Sequence, residues 1–138
     1  MDNLNVDDTR RSDIALRNQR RALGERDHKL MMFMFGVLAY SAFANSVVGV
    51  VQFFAHSPSL ILTICSLVLG VVYAIAAHHV WTKKSPSWWI IALPAVLTIG
   101  IIVATLQLSP IALLLNIALL AVIPFRAKVH KQLASLPT

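Results

Sequence analysis

The apolar and polar positions of this chain fall into long blocks. Residues 1–29 are largely polar. From Leu30 to Phe54 an apolar run of 25 residues carries no charge. Three more apolar blocks follow, at 60–77, 88–106 and 111–125, separated by short polar breaks. An α-helix needs about 20 predominantly apolar residues to cross a bilayer core ~30 Å thick. The first three blocks meet that length closely. The fourth has 15 residues and rises only ~23 Å at ~1.5 Å per residue. It is expected to borrow Pro110 and the preceding turn, or to sit where the bilayer thins. The pattern predicts an all-α polytopic membrane protein with four transmembrane helices. A charged cytoplasmic helical segment (1–29) precedes the bundle (30–125), and a basic tail (126–138) follows it.

Three Ser-Pro pairs reinforce the boundaries: Ser57-Pro58, Ser85-Pro86 and Ser109-Pro110. A serine hydroxyl accepts from an orphan N–H at a helix start. Proline suits the first helical position, where its missing donor costs nothing. The two turns 55–58 and 107–110 are too short for anything but antiparallel neighbours, so two helical hairpins are expected. Pro94 removes a backbone bond inside the third block and predicts a bend there.

Charge sets the orientation. Seven of the twelve basic residues precede the first block (Arg10, Arg11, Arg17, Arg20, Arg21, Arg26, Lys29). Lys83 and Lys84 occupy the middle loop, and Arg126, Lys128 and Lys131 the tail. The two opposite turns hold none. Short loops rich in Lys and Arg stay cytoplasmic, which predicts a multi-pass protein of the cytoplasmic (inner) membrane with both termini inside. Trp81, Trp88 and Trp89 flank the middle loop, where indole rings favour the headgroup level. Hydrophobic residues make up 57% of the chain and charged ones 13%, against roughly 25% charged in soluble domains. The net charge of +6 therefore reads as a topology signal, and no nucleic-acid partner is expected. Arg10-Arg11 lies too far from the first apolar run for a twin-arginine signal, and that run is too long for a cleavable signal peptide. Cys65 is the single cysteine and excludes an intrachain disulfide.

Chemistry-bearing residues are sparse. No Asp, Glu, Lys or Arg falls inside an expected span, which argues against ion-coupled transport, because such carriers bury a titratable group. All six acids precede residue 28, so no carboxylate is at hand to orient a nucleophile–base pair. No phosphate-binding glycine motif or CxxC occurs. No enzyme activity, cofactor or metal site is expected. His28, His78, His79 and His130 sit at the inner ends of spans and His56 at an outer turn. They read as interfacial residues, and a haem or redox subunit is the least favoured class.

Small and polar residues recur on single helical faces: Ser41, Asn45, Gly49 and Gln52 in the first span, Thr63, Ser66, Gly70, Ala74 and Ala77 in the second, Thr98 and Thr105 in the third, and Ser109, Ala112 and Asn116 in the fourth. In lipid, small residues let backbones approach and polar ones bond between helices. Ser41, Asn45, Gly49, Gln52, Ser66, Gly70 and Asn116 are the candidates for interhelical or partner contact. Thr9–His28 reads as a helix with opposite-charge pairs Asp13–Arg17, Arg21–Glu25 and Glu25–Lys29 and a thin apolar stripe of Ala15, Leu16, Ala22 and Leu23. Arg17, Arg20, Arg21, Arg26, Lys83, Lys84, Arg126 and Lys128 are expected to face lipid headgroups.

The function expected from this pattern is that of a small integral membrane accessory or interaction protein, of the assembly-factor, immunity or regulatory-subunit type. Its partners would be membrane lipids and a membrane protein or further copies of itself. The alternative is a small oligomeric pore or passive transporter lined by Ser41, Asn45, Gln52 and Asn116.

Overall fold

In the computed structural model the described residues, 3–55, 59–83, 86–105 and 109–137, form four α-helices and no strand. These are α1 (Asn3–Phe53), α2 (Leu60–Thr82), α3 (Trp88–Thr105) and α4 (Pro110–Ser135). His56, Ser57, Pro58, Lys84, Ser85, Gln107 and Leu108 lie outside the described residues, as do the side chains of residues 3–8 and 105.

The expected division at residue 29 is not a structural boundary. α1 runs unbroken through it for 51 residues, a rod of roughly 76 Å. Gly24 costs a helix only about 1 kcal/mol relative to alanine. α4 likewise continues past Phe125 to Ser135 with Pro124 inside it, so most of the expected tail is helix. α1, α2 and α4 are long and apolar enough to cross a membrane. α3 is apolar but shorter, at 18 residues.

The Ser-Pro signals act unevenly. Ser109 is the N-cap of α4 with Pro110 directly after it, but its hydroxyl makes no capping hydrogen bond; its carbonyl accepts from the Leu113 amide at 3.0 Å. α2, however, is entered from Ser59: its carbonyl accepts from the Thr63 amide at 2.9 Å and the Thr63 hydroxyl at 3.1 Å. α3 begins two residues after Pro86. There the Ser87 amide donates to Nε2 of His79 at 3.1 Å, so a histidine from the end of α2 holds the start of α3.

Each helix packs on two neighbours: α1 on α2 and α4, and α3 on α2 and α4, with no backbone approach across either diagonal. Contacts between α1 and α2 run in opposite directions along the chain. Phe35 meets Trp81 with ring centroids 4.9 Å apart. A Cβ on Gly70 would fall 3.3 Å from the Ala42 carbonyl oxygen, and one on Gly49 would fall 2.7 Å from Leu67 Cγ. Close approach is what these two glycines permit. The dry core lies between the helices toward the end bearing the chain termini. Met34, Leu38, Tyr73, Val80, Ile91 and Leu119 are almost fully buried there.

At that end an ion pair joins α1 to α4. Arg126 Nε donates to Asp27 Oδ1 at 2.9 Å, and His130 Nε2 lies 3.7 Å from the same oxygen. The Arg126 side chain is only 5% exposed. Arg20 donates to the backbone carbonyls of Leu136 and Pro137. The expectation that Arg126 faces lipid headgroups is thus corrected. A helix continuing past Phe125 turns it inward, where the carboxylate of Asp27 offsets the cost of burying its charge. Arg17, Arg20, Arg21, Arg26, Lys83 and Lys128 are exposed.

Candidate functional site

Toward the other end the four helices enclose a cleft of about 560 Å³. α1 contributes Ser41, Asn45 and Gln52, α2 contributes Cys65, Ser66 and Tyr73, α3 contributes Thr98, and α4 contributes Ser109 and Asn116. Apolar walls come from residues such as Leu69, Ile101, Ile102 and Leu115. Among the described residues no lining side chain is charged.

Periodicity places these side chains. Ser41, Asn45 and Gln52 lie at i, i+4 and i+11, close to one line along a helix of 3.6 residues per turn. Ser66 and Tyr73 are seven apart on α2. Asn45 and Asn116 each turn part of their amide back on their own helix: Asn45 Nδ2 donates to the Ser41 carbonyl at 2.8 Å and Asn116 Nδ2 to the Ala112 carbonyl at 2.7 Å. These local bonds fix the side-chain rotamers and leave the remaining amide groups turned inward.

The floor of the cleft is a hydrogen-bonded cluster around Tyr73. Its hydroxyl donates to Asn116 Oδ1 on the diagonally opposite helix. It also lies 2.8 Å from the Thr98 hydroxyl and 3.2 Å from the Pro94 carbonyl. The Thr98 hydroxyl lies 2.9 Å from that same carbonyl. Pro94 cannot donate to the Ile90 carbonyl, and its own carbonyl becomes the acceptor at the centre of the cluster. α2 and α4 have no backbone contact, so the phenol bridges the bundle axis by side chain alone. Below it lie Met34, Leu38, Val80, Ile91 and Leu119, all close-packed. Within one chain the cleft ends at Tyr73.

Other groups lining the cleft have nothing to bond. The Ser41 side chain sits in a residue only 7% exposed. Among the described residues neither its hydroxyl nor the side chains of Gln52 and Ser66 make a hydrogen bond.

Five of the seven candidate contact residues, Ser41, Asn45, Gln52, Ser66 and Asn116, therefore meet in one cleft. Gly49 and Gly70 do not; they lie in the α1–α2 seam, against Leu67 and against Ala42 and Ser46. Sequence reasoning missed Tyr73. The signal was present: Ser66, Gly70, Tyr73 and Ala77 form one stripe, and a phenol hydroxyl in the middle of an apolar segment requires a partner. Among the described residues no three of His, Cys, Asp and Glu converge as a metal site. Comparison with protein-family models, curated proteins and solved structures finds no match.

Proposed function

We propose that this chain is a small integral membrane accessory protein that works by binding, with its cleft as the recognition surface. In this reading it crosses the cytoplasmic membrane four times in two antiparallel hairpins and keeps both termini in the cytoplasm. The single observation that carries the binding role is the convergence of polar side chains from all four helices, among them Ser41, Asn45, Ser66, Thr98 and Asn116, on one cleft.

Several features support the layout. The first basic residue after the apolar part of α4, Arg126, pairs with Asp27, the last acid before the apolar part of α1. That contact sets the charged ends of α1 and α4 at one level. Phe35 against Trp81 brings the α2–α3 connection, with Lys83, to the same end. The described basic residues then gather on one side, in keeping with the charge asymmetry expected of short loops. Trp81, Trp88 and Trp89 are exposed there, and the last two stack with centroids 3.8 Å apart, suited to an interfacial anchor. The 18 residues of α3 rise ~27 Å, within reach of a bilayer that adjusts slightly.

A catalytic role has little support, since the described residues lining the cleft include neither carboxylate nor histidine. A pore also fits less well. Ser41, Asn45, Gln52 and Asn116 line the inside of one chain, and Tyr73 with the core beneath it closes that path. Native mass spectrometry from mild detergent tests the reading. Wild type is expected to retain a bound non-covalent species that the Asn45→Leu protein loses, and pure protein in liposomes is expected to pass no dye or ion. Selective flux abolished by Asn45→Leu would replace binding with conduction.

A further inference from the structure

We propose that the cleft binds an uncharged amphiphile, a lipid with a hydroxyl or ester-carbonyl head and a hydrocarbon tail. The inference rests on the binding reading above and names the ligand class for that site. Four observations lead to it.

The first is capacity. About 560 Å³ lies within the ~300–1,000 Å³ typical of small-molecule sites. The second is unsatisfied polarity. Ser41, Gln52 and Ser66 offer side-chain donors and acceptors that the described residues leave unused. A ligand head with hydrogen-bonding atoms of its own can pair with them where water would otherwise sit. The third is the absence of charge. A charged head would be buried with no counter-ion among the described lining residues, at a cost of several kcal/mol. A neutral head avoids that cost. The fourth is the route. Tyr40 and Val48 on α1 and Ile111 on α4 line the cleft and are also exposed, at 55%, 49% and 66%. These exposed side chains of α1 and α4 put the rim of the cleft at the outer surface of the bundle. A tail lying in the bilayer remains there while the head enters between the two helices.

A diazirine-bearing monoacylglycerol is the probe, with a diazirine-bearing alkyl sulfonate as the permanently charged comparator, both added to full-length protein in liposomes. The monoacylglycerol is expected to crosslink between residues 40 and 52 or 109 and 116. Its yield should exceed that of the sulfonate by on the order of tenfold or more, and unlabelled monoacylglycerol should compete it away. Ser41→Leu should lose the crosslink, and Ser41→Thr, which keeps the hydroxyl, should retain it. Equal crosslinking by the two probes would overturn the proposal, as would crosslinking that no competitor reduces. The competition arm uses wild type alone, so a variant that fails to fold leaves the test intact. Maleimide modification of Ser41→Cys in a Cys65→Ser background separates the two levels. If that cysteine reacts but the probes do not discriminate, the ligand class is wrong and the binding cleft stands. If it is inert, both fall.

Discussion

Tyr73 carries more of the interior than any other side chain. It is fully buried, and its hydroxyl contacts partners on α3 and α4. Removing that oxygen leaves Asn116 Oδ1 without its donor in a setting with little water to replace it. Tyr73→Phe should lower stability by about 1–3 kcal/mol, read from unfolding in mixed micelles. A double-mutant cycle with Asn116→Leu should return a coupling of about 0.6–1.7 kcal/mol, the range found for polar pairs between membrane helices. A coupling near zero would mean that the two groups do not meet. Arg126 makes a parallel case at the charged end. Asp27→Ala leaves a guanidinium buried against one fewer carboxylate. The expected loss is about 1–3 kcal/mol, below the ~3–5 of a wholly buried pair, because Asp27 keeps some contact with water at 19% exposure. The double variant Asp27→Ala/Arg126→Met should recover much of that loss in the same assay.

Helix pairing depends on where backbones approach. Gly70 and Gly49 lie in the α1–α2 seam, while Gly24, Gly36 and Gly100 have open space around their Cα atoms. Gly70→Ala should destabilise by about 1–3 kcal/mol through overpacking against the α1 backbone. Gly100→Ala should be neutral or gain up to about 1 kcal/mol from helix propensity. The same unfolding assay separates the two, and equal effects would contradict the close seam. The apolar blocks foretold these helices because a run of about 20 apolar residues has few other fates. Helix ends were less legible. Ser109-Pro110 marks α4 correctly, but α2 starts from Ser59, and His79 rather than a serine side chain secures the entry to α3. Continuity was hidden at Lys29 and at Phe125, because a polarity change marks a change of solvent and need not mark the end of a helix. The candidate polar residues were legible from spacing. Their convergence was not, since the spacing fixes a face and leaves open which neighbour it meets. The pairing of Asp27 with Arg126, 99 positions apart, has no local signature.

The whole molecule joins a membrane-sized bundle to a rod that extends beyond it. Because α1 is continuous, residues 9–19 keep the tilt of the apolar segment and run on past Arg20, which bonds the Leu136 and Pro137 carbonyls just after α4. Arg10 lies ~24 Å from Arg26 along the axis, more than the ~8 Å screening length at physiological salt. Under the proposed topology Arg26 sits near headgroups, and Arg10 and Arg11 are presented to the aqueous side. Reporter fusions at the two ends should both be active in the cytoplasm, and opposite behaviour would remove one crossing. The central claim is that a membrane-embedded polar cleft exists within one chain, and cysteine accessibility scanning in intact membranes tests it most directly. In a Cys65→Ser background, cysteines at Ser41, Asn45, Gln52 and Asn116 should react with a small polar maleimide, while those at lipid-facing Val51, Ile64 and Val103 stay inert. Uniform inertness, or equal reaction at all seven positions, would contradict the account.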